Sequence, residues 1–533
     1  MHYHIIEYVY LILIIVGLVM LANRLGVAYP IVLVLGGLAL SFINIFSHIT
    51  IDPELIFFIF LPPLLYEAAW QTSWKDFWKW RRVIASFAFF IVILTSCVVA
   101  LASNILIPGF TIALGFLLGG IVSPPDAISA TTILRQVKAP KVLVSVAEGE
   151  SLLNDASSLI VFRFALAAIV TGQFHFSEAI GTFFLVILIG TLIGLAIGLV
   201  FYAIYRWLPT TPSIEIVLSF LAPYCMYYFA ERFHFSGVLA VVTGGLLLSS
   251  KRQQILTYLG RMQGTNVWST IGFILNGLVF MLIGLQLPSI TREVEEVSLG
   301  QAIRYGVAIS LVLIVTRICC TLGAAVFTRF AGRFITVADP HPGWKVPFVF
   351  GWAGMRGVVS LAAALSIPVF IQQGEPFPYR NLILIITFIV ILVTLVFQGL
   401  TLPWVIRRIK IEDKSARIPE QELAIRKVIA ETSLKFLERT HGDAQEINEH
   451  LQNLSAKLRT DLNAFQQDIQ EFNKTSRDLL LQFQDVYSAL LDQQRKALLA
   501  LNRKEEYDEE LIRKYLSLVD LEEIKLREIS IGS

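Results

Sequence analysis

The sequence has 533 residues, of which 55% are hydrophobic and only 16% are charged, and its mean hydropathy is +0.67. Soluble proteins average about 25% charged and 45–50% apolar residues, so this composition indicates a membrane protein. It disfavours a soluble enzyme, a secreted disulfide-bonded domain and a nucleic-acid-binding protein. The first 410 residues carry 25 basic and 17 acidic residues, whereas the last 123 carry 18 and 24. We therefore expect a membrane body, 1–410, and a polar tail, 411–533.

The membrane body contains about thirteen apolar segments, each long enough for a helix that crosses a hydrocarbon core of about 30 Å. These segments lie at about 5–22, 27–46, 54–70, 82–106, 111–134, 142–171, 177–207, 213–232, 236–250, 265–288, 300–329, 345–372 and 381–407. The sequence therefore predicts an all-α polytopic membrane protein with about 13 transmembrane helices.

The basic residues between these segments predict the orientation of the chain. One set of alternate loops holds fifteen Lys and Arg residues, and the other set holds four. Cytoplasmic loops carry the excess of Lys and Arg, so we expect the N-terminus outside the cell membrane and the tail in the cytoplasm.

The tail is predicted to be helical because apolar residues recur at helical spacing between polar ones. Examples are Leu423, Ile425, Val428 and Ile429, and further along Leu479, Leu480, Phe483 and Val486. No phosphate-binding loop, nucleotide fingerprint or metal-spaced Cys or His pattern is present, so no cofactor and no catalytic residue is predicted. The tail is expected to pack on itself or on a second copy, or to bind a regulatory partner.

Excluding the loops and their flanks, we single out eight charged residues inside the apolar segments, where a charge at the bilayer centre costs at least about 2.5–3.5 kcal/mol. They are Glu67, Asp126, Glu148, Glu150, Asp155, Arg163, Arg317 and Arg356. An intramembrane charge is a candidate functional residue by default, and half of these residues lie on the sixth segment.

The sixth segment carries a candidate cation site. Ser151 and Asp155 are one helical turn apart, as are Glu150 and Asn154, so one region of the helix presents two carboxylates, an amide and a hydroxyl. Hard oxygen donors of this kind suit a small alkali cation. The alternative is a polar contact between helices, which does not require a carboxylate.

The fifth and twelfth segments are both predicted to be interrupted. The sequence 123–126 (SPPD) places two prolines inside an apolar run, and 351–357 (GWAGMRG) places three glycines and Arg356 at a corresponding depth. Paired broken helices indicate an inverted-repeat transporter whose site lies where they cross. Asp126 and Arg356 have the signs needed to neutralise the opposed half-helix ends. Two ordinary proline kinks are the alternative.

Arg317 needs an anion if it is buried, since a guanidinium does not lose its proton. Glu150 and Asp126 are the candidates, and Glu150 is preferred because Arg356 can serve Asp126. Asp155 would then lack a fixed cationic partner. Because burial disfavours an isolated charge, Asp155 would bind either a proton or a cation, and not both at once.

Three stretches resemble motifs of the monovalent cation/proton antiporter-1 family, the sodium/proton exchangers. The stretch 60–67 (FLPPLLYE) is similar to a proline-proline motif that ends in a glutamate, here Glu67. The stretch 148–155 (EGESLLND) resembles the ion-site helix, and 354–357 (GMRG) resembles a glycine-arginine-glycine motif in the second broken helix. The resemblance covers about 5–408.

The resemblance implies a homodimer in which ions are exchanged by an elevator-like movement of a transport bundle. Each subunit would have a transport bundle, about 82–171 and 300–408, and a dimerisation part, about 5–70 and 213–288.

The resemblance also implies the roles of the site residues. Asp155 would bind the transported alkali cation and the proton, with Ser151 and Glu67 contributing directly or through water. Asn154 would orient the site, and Glu150 with Arg317 would form a structural ion pair. An Asn before the Asp is typical of electroneutral one-for-one exchange.

One position departs from the family pattern. A Thr-Asp-Pro sequence is typical in the first broken helix, but this chain has Pro125, Asp126 and Ala127. Pro125 has no side-chain hydroxyl, so Ser123 is the candidate replacement ligand.

The sequence therefore favours an antiporter that exchanges sodium, or alternatively potassium or lithium, for protons, in pH and sodium homeostasis. A sodium-coupled symporter of an organic solute and a membrane-anchored ion or pH sensor acting through the tail are the alternatives. A channel is disfavoured because the carboxylates gather on one helix rather than in a ring.

Overall fold

The computed structural model describes residues 2–42, 56–172, 176–286, 297–333, 339, 342–371, 375–411, 418–445, 449–468, 474–501, 512 and 515–524. These residues are mostly helical, and their only β-pairing is an isolated bridge between Phe370 and Pro376. The all-α prediction is thereby confirmed.

Fifteen helices of the described residues lie within residues 2–409. They are α1 (His2–Leu25), α2 (Tyr29–Ser41), α3 (Leu61–Gln71, after a π-helical turn at Ile56–Phe60), α4 (Trp74–Leu106), α5 (Ile112–Val122), α6 (Ala127–Gln136), α7 (Lys141–Thr171), α8 (Phe176–Trp207), α9 (Pro212–Arg232), α10 (Gly237–Ile255), α11 (Tyr258–Leu285), α12 (Leu299–Ala331), α13 (Lys345–Trp352), α14 (Val358–Leu365) and α15 (Arg380–Ile409).

Each predicted segment coincides with one helix or with a pair of half-helices. In the described part of the chain, eight helical stretches are long and apolar enough to cross a membrane. The number of thirteen crossings stays a prediction. The largest difference in position is at α4, which begins eight residues before the predicted boundary. The amphipathic stretch 74–81 is helical because the hydroxyl of Ser73 accepts a hydrogen bond from the backbone N–H of Asp76 at 3.3 Å and caps the helix.

Both predicted interruptions occur. The chain leaves helical geometry at 123–126, between α5 and α6, where Pro124 and Pro125 lack backbone donors, and again at 353–357, between α13 and α14. The two interruptions touch, since the backbone N–H of Asp126 donates to the carbonyl of Met355 at 2.7 Å. A Cβ at Gly357 would lie 2.7 Å from the carboxyl carbon of Asp126, so only glycine permits this approach.

Small residues bring α5 close to its neighbours. A Cβ at Gly115 or Gly119 would lie 2.6 Å from backbone carbonyl oxygens of α4, and a Cβ at Gly120 would lie 2.9 Å from the backbone nitrogen of Phe162 on α7. Close backbone contacts of this kind are the usual basis of helix association inside a membrane. The first broken helix is therefore packed tightly between α4 and α7.

Two buried apolar clusters organise the membrane body. The larger draws on α4–α7 and α12–α15, together with parts of α1, α2 and α11. The smaller joins α3, α8, α9 and α10 with Leu152 and Ala156 of α7 and Trp268 of α11. Helix α7 thus contributes to both clusters.

Glu215 is a buried carboxylate that the sequence analysis missed. It lies in the first turn of α9 and is 1% exposed. Its carboxylate accepts hydrogen bonds from the hydroxyl of Thr210 at 3.2 Å and from the backbone N–H and hydroxyl of Thr257, at 3.2 and 3.1 Å. Because Thr257 caps α11, Glu215 joins the starts of two helices and has a structural role.

The tail forms a compact unit of its own, Asp413–Ser533, distinct from Met1–Glu412. It contains α16 (Ile418–Gln445), α17 (Glu449–Asp468) and α18 (Lys474–Leu501), which confirms that the tail is helical. Ile425, Val428 and Ile429 are each about 60% exposed, and Val486 is exposed as well. The side chains of Leu423, Leu479, Leu480 and Phe483 lie outside the described residues.

Arg495 is the centre of an ion-pair network in the tail. It lies 2.6 Å from Glu523, 2.8 Å from Asp520 and 2.9 Å from Asp492. Hydrogen bonds to Glu523 and Asp520 raise the pKa of the Arg495 guanidinium above its ordinary value. The network ties α18 to the last described helical residues, 515–524.

Candidate ion-binding site

A cavity of about 260 Å³ lies among α3, α6, α7, α11 and α14. Its ionisable lining residues are Glu67, Asp126, Arg135, Glu148 and Asp155. Arg135 and Glu148 are partly exposed and form an ion pair at 2.6 Å, whereas Asp155 is only 7% exposed. The cavity therefore leads from an accessible ion pair to a buried carboxylate.

The polar residues of α7 face two directions. Ser151 and Asp155 line the cavity, whereas Glu150 and Asn154 turn toward the broken helices and α12. Successive residues of a helix are rotated by about 100° about its axis. The pair of Ser151 and Asp155 is shifted by one residue from the pair of Glu150 and Asn154, so the two pairs lie on adjacent faces of α7. The cavity side thus holds one hydroxyl and one carboxylate from α7.

The two aspartates of the site differ in their hydrogen bonds. The carboxylate of Asp126 caps α6 and accepts hydrogen bonds from the backbone N–H groups of Ile128 and Ser129, at 3.3 and 3.1 Å, and from the hydroxyl of Ser129, at 2.5 Å. No described residue donates a hydrogen bond to the carboxylate of Asp155. Asp126 is therefore committed to the helix terminus, whereas Asp155 faces the cavity without a hydrogen-bond donor among the described residues.

Asn154 connects α7 to the first interruption. Its side-chain N–H donates to the backbone carbonyl of Pro125 at 2.9 Å, and the residue is fully buried. The hydrogen bond fixes the unwound chain beside Asp155. This contact agrees with an orienting role for Asn154.

Arg317 on α12 forms an ion pair with Glu150 on α7 at 2.8 Å, and their side chains are 3% and 2% exposed. The sequence analysis preferred this partner to Asp126. Removing one partner of a buried pair of this kind strongly destabilises the folded protein, because the other charge is then left buried and uncompensated.

Arg356 has partners that differ from the expected one. Its side chain donates to the carbonyl of Val122 at 2.8 Å, to that of Ser123 at 3.1 Å and to that of Gly354, and not to Asp126. The expectation that Arg356 serves Asp126 directly is thus wrong. Each charge instead neutralises the nearest half-helix end, with Arg356 at the C-terminal end of α5 and Asp126 at the N-terminal end of α6.

Ser123 does not lie where a replacement ligand would be needed. Its hydroxyl accepts a hydrogen bond from Ser96 on α4 at 2.9 Å, and the residue is outside the cavity lining. The local turn directs Ser123 toward α4 because its own carbonyl is bound by Arg356. The expectation that it replaces the missing threonine hydroxyl is not supported.

The opposite wall of the cavity comes from α3 and α11. Glu67 accepts a hydrogen bond from the side chain of Gln71 at 2.9 Å and packs against Gly272. Asn276, one turn beyond Gly272, also lines the cavity and is 7% exposed. The sequence analysis did not single out Asn276; the signal was a lone amide within an apolar helix.

Arg163, which had no assigned partner, forms an ion pair with Glu231 at 2.7 Å. Glu231 also accepts a hydrogen bond from the backbone N–H of Gly237 at the start of α10. The pair joins α7 to the α9–α10 connection and lies outside the cavity lining.

The helical membrane fold agrees with what the chain is similar to. The family model for the transmembrane sodium/hydrogen exchanger matches residues 10–408. The chain therefore belongs to the sodium/hydrogen exchanger family and is a multi-pass membrane protein.

Relatives extend the comparison. An antiporter of Bacillus pumilus, named for sodium, potassium, lithium and rubidium/H(+), is 34% identical over 368 residues, which cover 67% of this chain and 54% of that protein. The matched region thus spans about half the length of that relative. An uncharacterized Na(+)/H(+) exchanger of Mycobacterium tuberculosis is 30% identical over 521 residues, which cover 96% of this chain and 94% of that protein. A low-affinity Na(+)/H(+) antiporter of Synechocystis is 31% identical over 420 residues, which cover 78% of this chain and 76% of that protein.

A solved structure shares the fold. The sodium proton antiporter MjNhaP1 of Methanocaldococcus jannaschii, solved at pH 8, matches 76% of this chain and 99% of its own, with a TM-score of 0.55 and 16% identity. At this identity the likeness concerns the fold alone.

The buried ion pair gives a testable stability prediction. We expect Glu150→Ala to destabilise the protein by about 3–5 kcal/mol, because Arg317 is left buried and uncompensated. Thermal unfolding in detergent, followed by intrinsic fluorescence, measures the change. Glu148→Ala on the same helix is the matched control, since its pair with Arg135 is partly exposed and contributes about 0–1 kcal/mol. Equal melting temperatures for the two variants would contradict the assignment.

Proposed function

We propose that the protein exchanges a monovalent cation for a proton across the membrane by binding them alternately at Asp155. The observation that carries this proposal is the difference between the two aspartates of the site. Asp126 is satisfied by three donors, whereas Asp155 is buried at the cavity and receives no hydrogen bond from a described residue. A carboxylate in this position favours a proton or a metal cation over remaining bare.

Sodium is the proposed cation, with potassium and lithium as alternatives. Membership in the sodium/hydrogen exchanger family supports sodium. The name of the Synechocystis relative specifies sodium, whereas that of the Bacillus pumilus relative includes potassium, lithium and rubidium. A hard oxygen site without a fixed cage suits several alkali ions.

The proposed ligands come from both walls of the cavity. Asp155 and Ser151 lie on α7, with Asp126 beside them at the start of α6 and Glu67 on the opposite wall. Glu67 and Asp126 would act through water or by attraction, since Asp126 is already hydrogen-bonded to α6. Asn154 would orient the site through the carbonyl of Pro125.

Exchange at a single carboxylate is proposed to be electroneutral and one for one. Asp155 releases one proton when it takes up one monovalent cation, so the charge of the loaded site is the same in both forms. The Asn154–Asp155 sequence supports this assignment through the family pattern.

Alternating access is proposed to involve two parts of the membrane body. The bundle, about 82–171 and 300–408, carries Asp155 and both broken helices, and the part at about 5–70 and 213–288 would form a homodimer. The cavity reaches Arg135 and Glu148, which lie on the side predicted to face the cytoplasm. This arrangement supports an inward-facing site. From the charges of the loops, we also propose that the tail is cytoplasmic.

The proposal predicts the effect of Asp155→Asn. Exchange should fall to the background of empty liposomes, because an amide cannot trade a proton for a cation, while the folded protein remains. Sodium-driven pH change in proteoliposomes with a trapped pH dye measures this, with the membrane voltage clamped and unclamped. Asp76→Asn, outside the cavity, is the matched control and should keep wild-type exchange. Exchange near the wild-type rate in Asp155→Asn would overturn the assignment.

Competition at one carboxylate predicts the pH dependence of cation affinity. As the pH falls through the range in which Asp155 takes up its proton, the apparent KM for sodium should rise, approaching tenfold per pH unit. The maximal rate at saturating sodium should change less, since sodium displaces the proton. Initial exchange rates over a matrix of sodium concentration and pH give both quantities. A KM that does not vary with pH would indicate separate sites.

A further inference from the structure

Three bundle helices place basic side chains at one end of the membrane body. We refer to this surface as the basic patch, and its members are Lys75, Lys79, Arg81, Arg82, Lys138 and Lys141. All six are exposed. The first four lie in the amphipathic first turns of α4, and the last two lie where α6 ends and α7 begins.

Contacts between the helices join these residues into one surface. Lys141 forms an ion pair with Asp76 at 3.2 Å, which brings the start of α7 against the start of α4. The nearby Glu148 is engaged by Arg135 at 2.6 Å. Asp76 and Glu148 therefore both have basic partners. Lys75, Lys79 and Lys138 have no acidic partner among the residues that the structure describes.

An aromatic surface lies within the patch. The rings of Trp74 and Trp78 stack with centroids 5.6 Å apart, and both side chains are about half exposed. The guanidinium of Arg81 lies 4.4 Å from the ring centroid of Trp78. Tryptophan is enriched at the level of lipid headgroups. The Arg81 guanidinium donates one hydrogen bond to the backbone carbonyl of Trp78 at 2.6 Å, and its other N–H groups are of the kind that bind a phosphate.

The helix termini add to the positive potential. Helices α4 and α7 both begin at this end, after Ser73 and Pro140, so the positive ends of two helix dipoles coincide with the lysines. Backbone N–H groups of a first helical turn are suited to bind an anion.

We propose that the basic patch binds the headgroup of an anionic phospholipid of the surrounding bilayer. Charge complementarity favours an anion, and exposed tryptophans at the end of the membrane-spanning helix α4 favour a lipid over a soluble ion. Clusters of four to eight basic residues next to a transmembrane helix attract anionic lipids, and each contributes about fivefold to association. The inference concerns lipid binding and does not rest on the exchange reaction.

Lipid binding by the full-length chain tests the proposal. The purified protein in neutral detergent would be titrated with phosphatidylglycerol and, separately, with phosphatidylcholine, and the bound lipid would be counted by native mass spectrometry. We expect a clear preference for phosphatidylglycerol that weakens as ionic strength rises. The triple variant Lys75→Gln/Lys79→Gln/Lys138→Gln should bind it about a hundredfold more weakly.

A charge-matched control separates this site from a general effect of net charge. Arg206→Gln/Lys251→Gln/Arg252→Gln removes the same charge from α8 and α10, on the same predicted side, and should bind as the wild type does. Equal weakening in both triple variants, or in neither, would overturn the proposal. Displacement of the lipid by 10 mM inorganic phosphate, beyond the weakening produced by sodium chloride at the same ionic strength, would also overturn it, because the site would then take a soluble anion.

Discussion

The meeting of two interrupted helices is the constraint on which the rest of the site depends. A helix that stops inside a membrane leaves backbone carbonyls and N–H groups that lipid cannot satisfy. Here the side chains of Arg356 and Asp126 satisfy opposite ends of the first interruption, and the backbone of Asp126 is bound to Met355 of the second. The glycines at 351, 354 and 357 leave no room for a Cβ, and the prolines at 124 and 125 lack the backbone donors that would continue the helix. The unwound chain then offers the carbonyl of Pro125 to Asn154, which places α7 and its carboxylate beside the crossing.

The buried carboxylates of the membrane body separate into three kinds according to their neighbours. Glu150 has a guanidinium, Glu215 and Asp126 have hydrogen-bond donors from helix starts, and Asp155 has neither among the described residues. Burial alone therefore does not distinguish the proposed transport residue, Asp155, from the structural carboxylates. What distinguishes Asp155 is that no described residue supplies it with a positive partner or a hydrogen-bond donor, which is why alternate binding of a proton and a cation is proposed there.

Much of this arrangement could be predicted from local sequence. Helix interruptions follow from proline and glycine chemistry, and the proximity of Ser151 to Asp155 follows from helical periodicity. The direction of Ser123 could not be predicted, because it depends on how the unwound residues turn once Arg356 has bound their carbonyls. The partner of Arg163 lies 68 residues away on another helix, and no local pattern indicates it. Glu215 was overlooked because a carboxylate at the start of a helix is usually exposed to water.

The two ion pairs made by α7 differ in a way that bears on movement. The pair of Glu150 with Arg317 is almost completely buried, so separating α7 from α12 would expose two charges to a medium of low dielectric constant. The pair of Arg163 with Glu231 is 49% and 28% exposed, and a pair of this kind contributes about 0–1 kcal/mol, close to thermal energy. Water can solvate the charges of Arg163 and Glu231 as the two side chains separate. The proposed movement of the bundle would therefore separate Arg163 from Glu231 at little cost, whereas the pair of Glu150 with Arg317 would keep α7 and α12 together, so that Asp155 and α12 would move as one body.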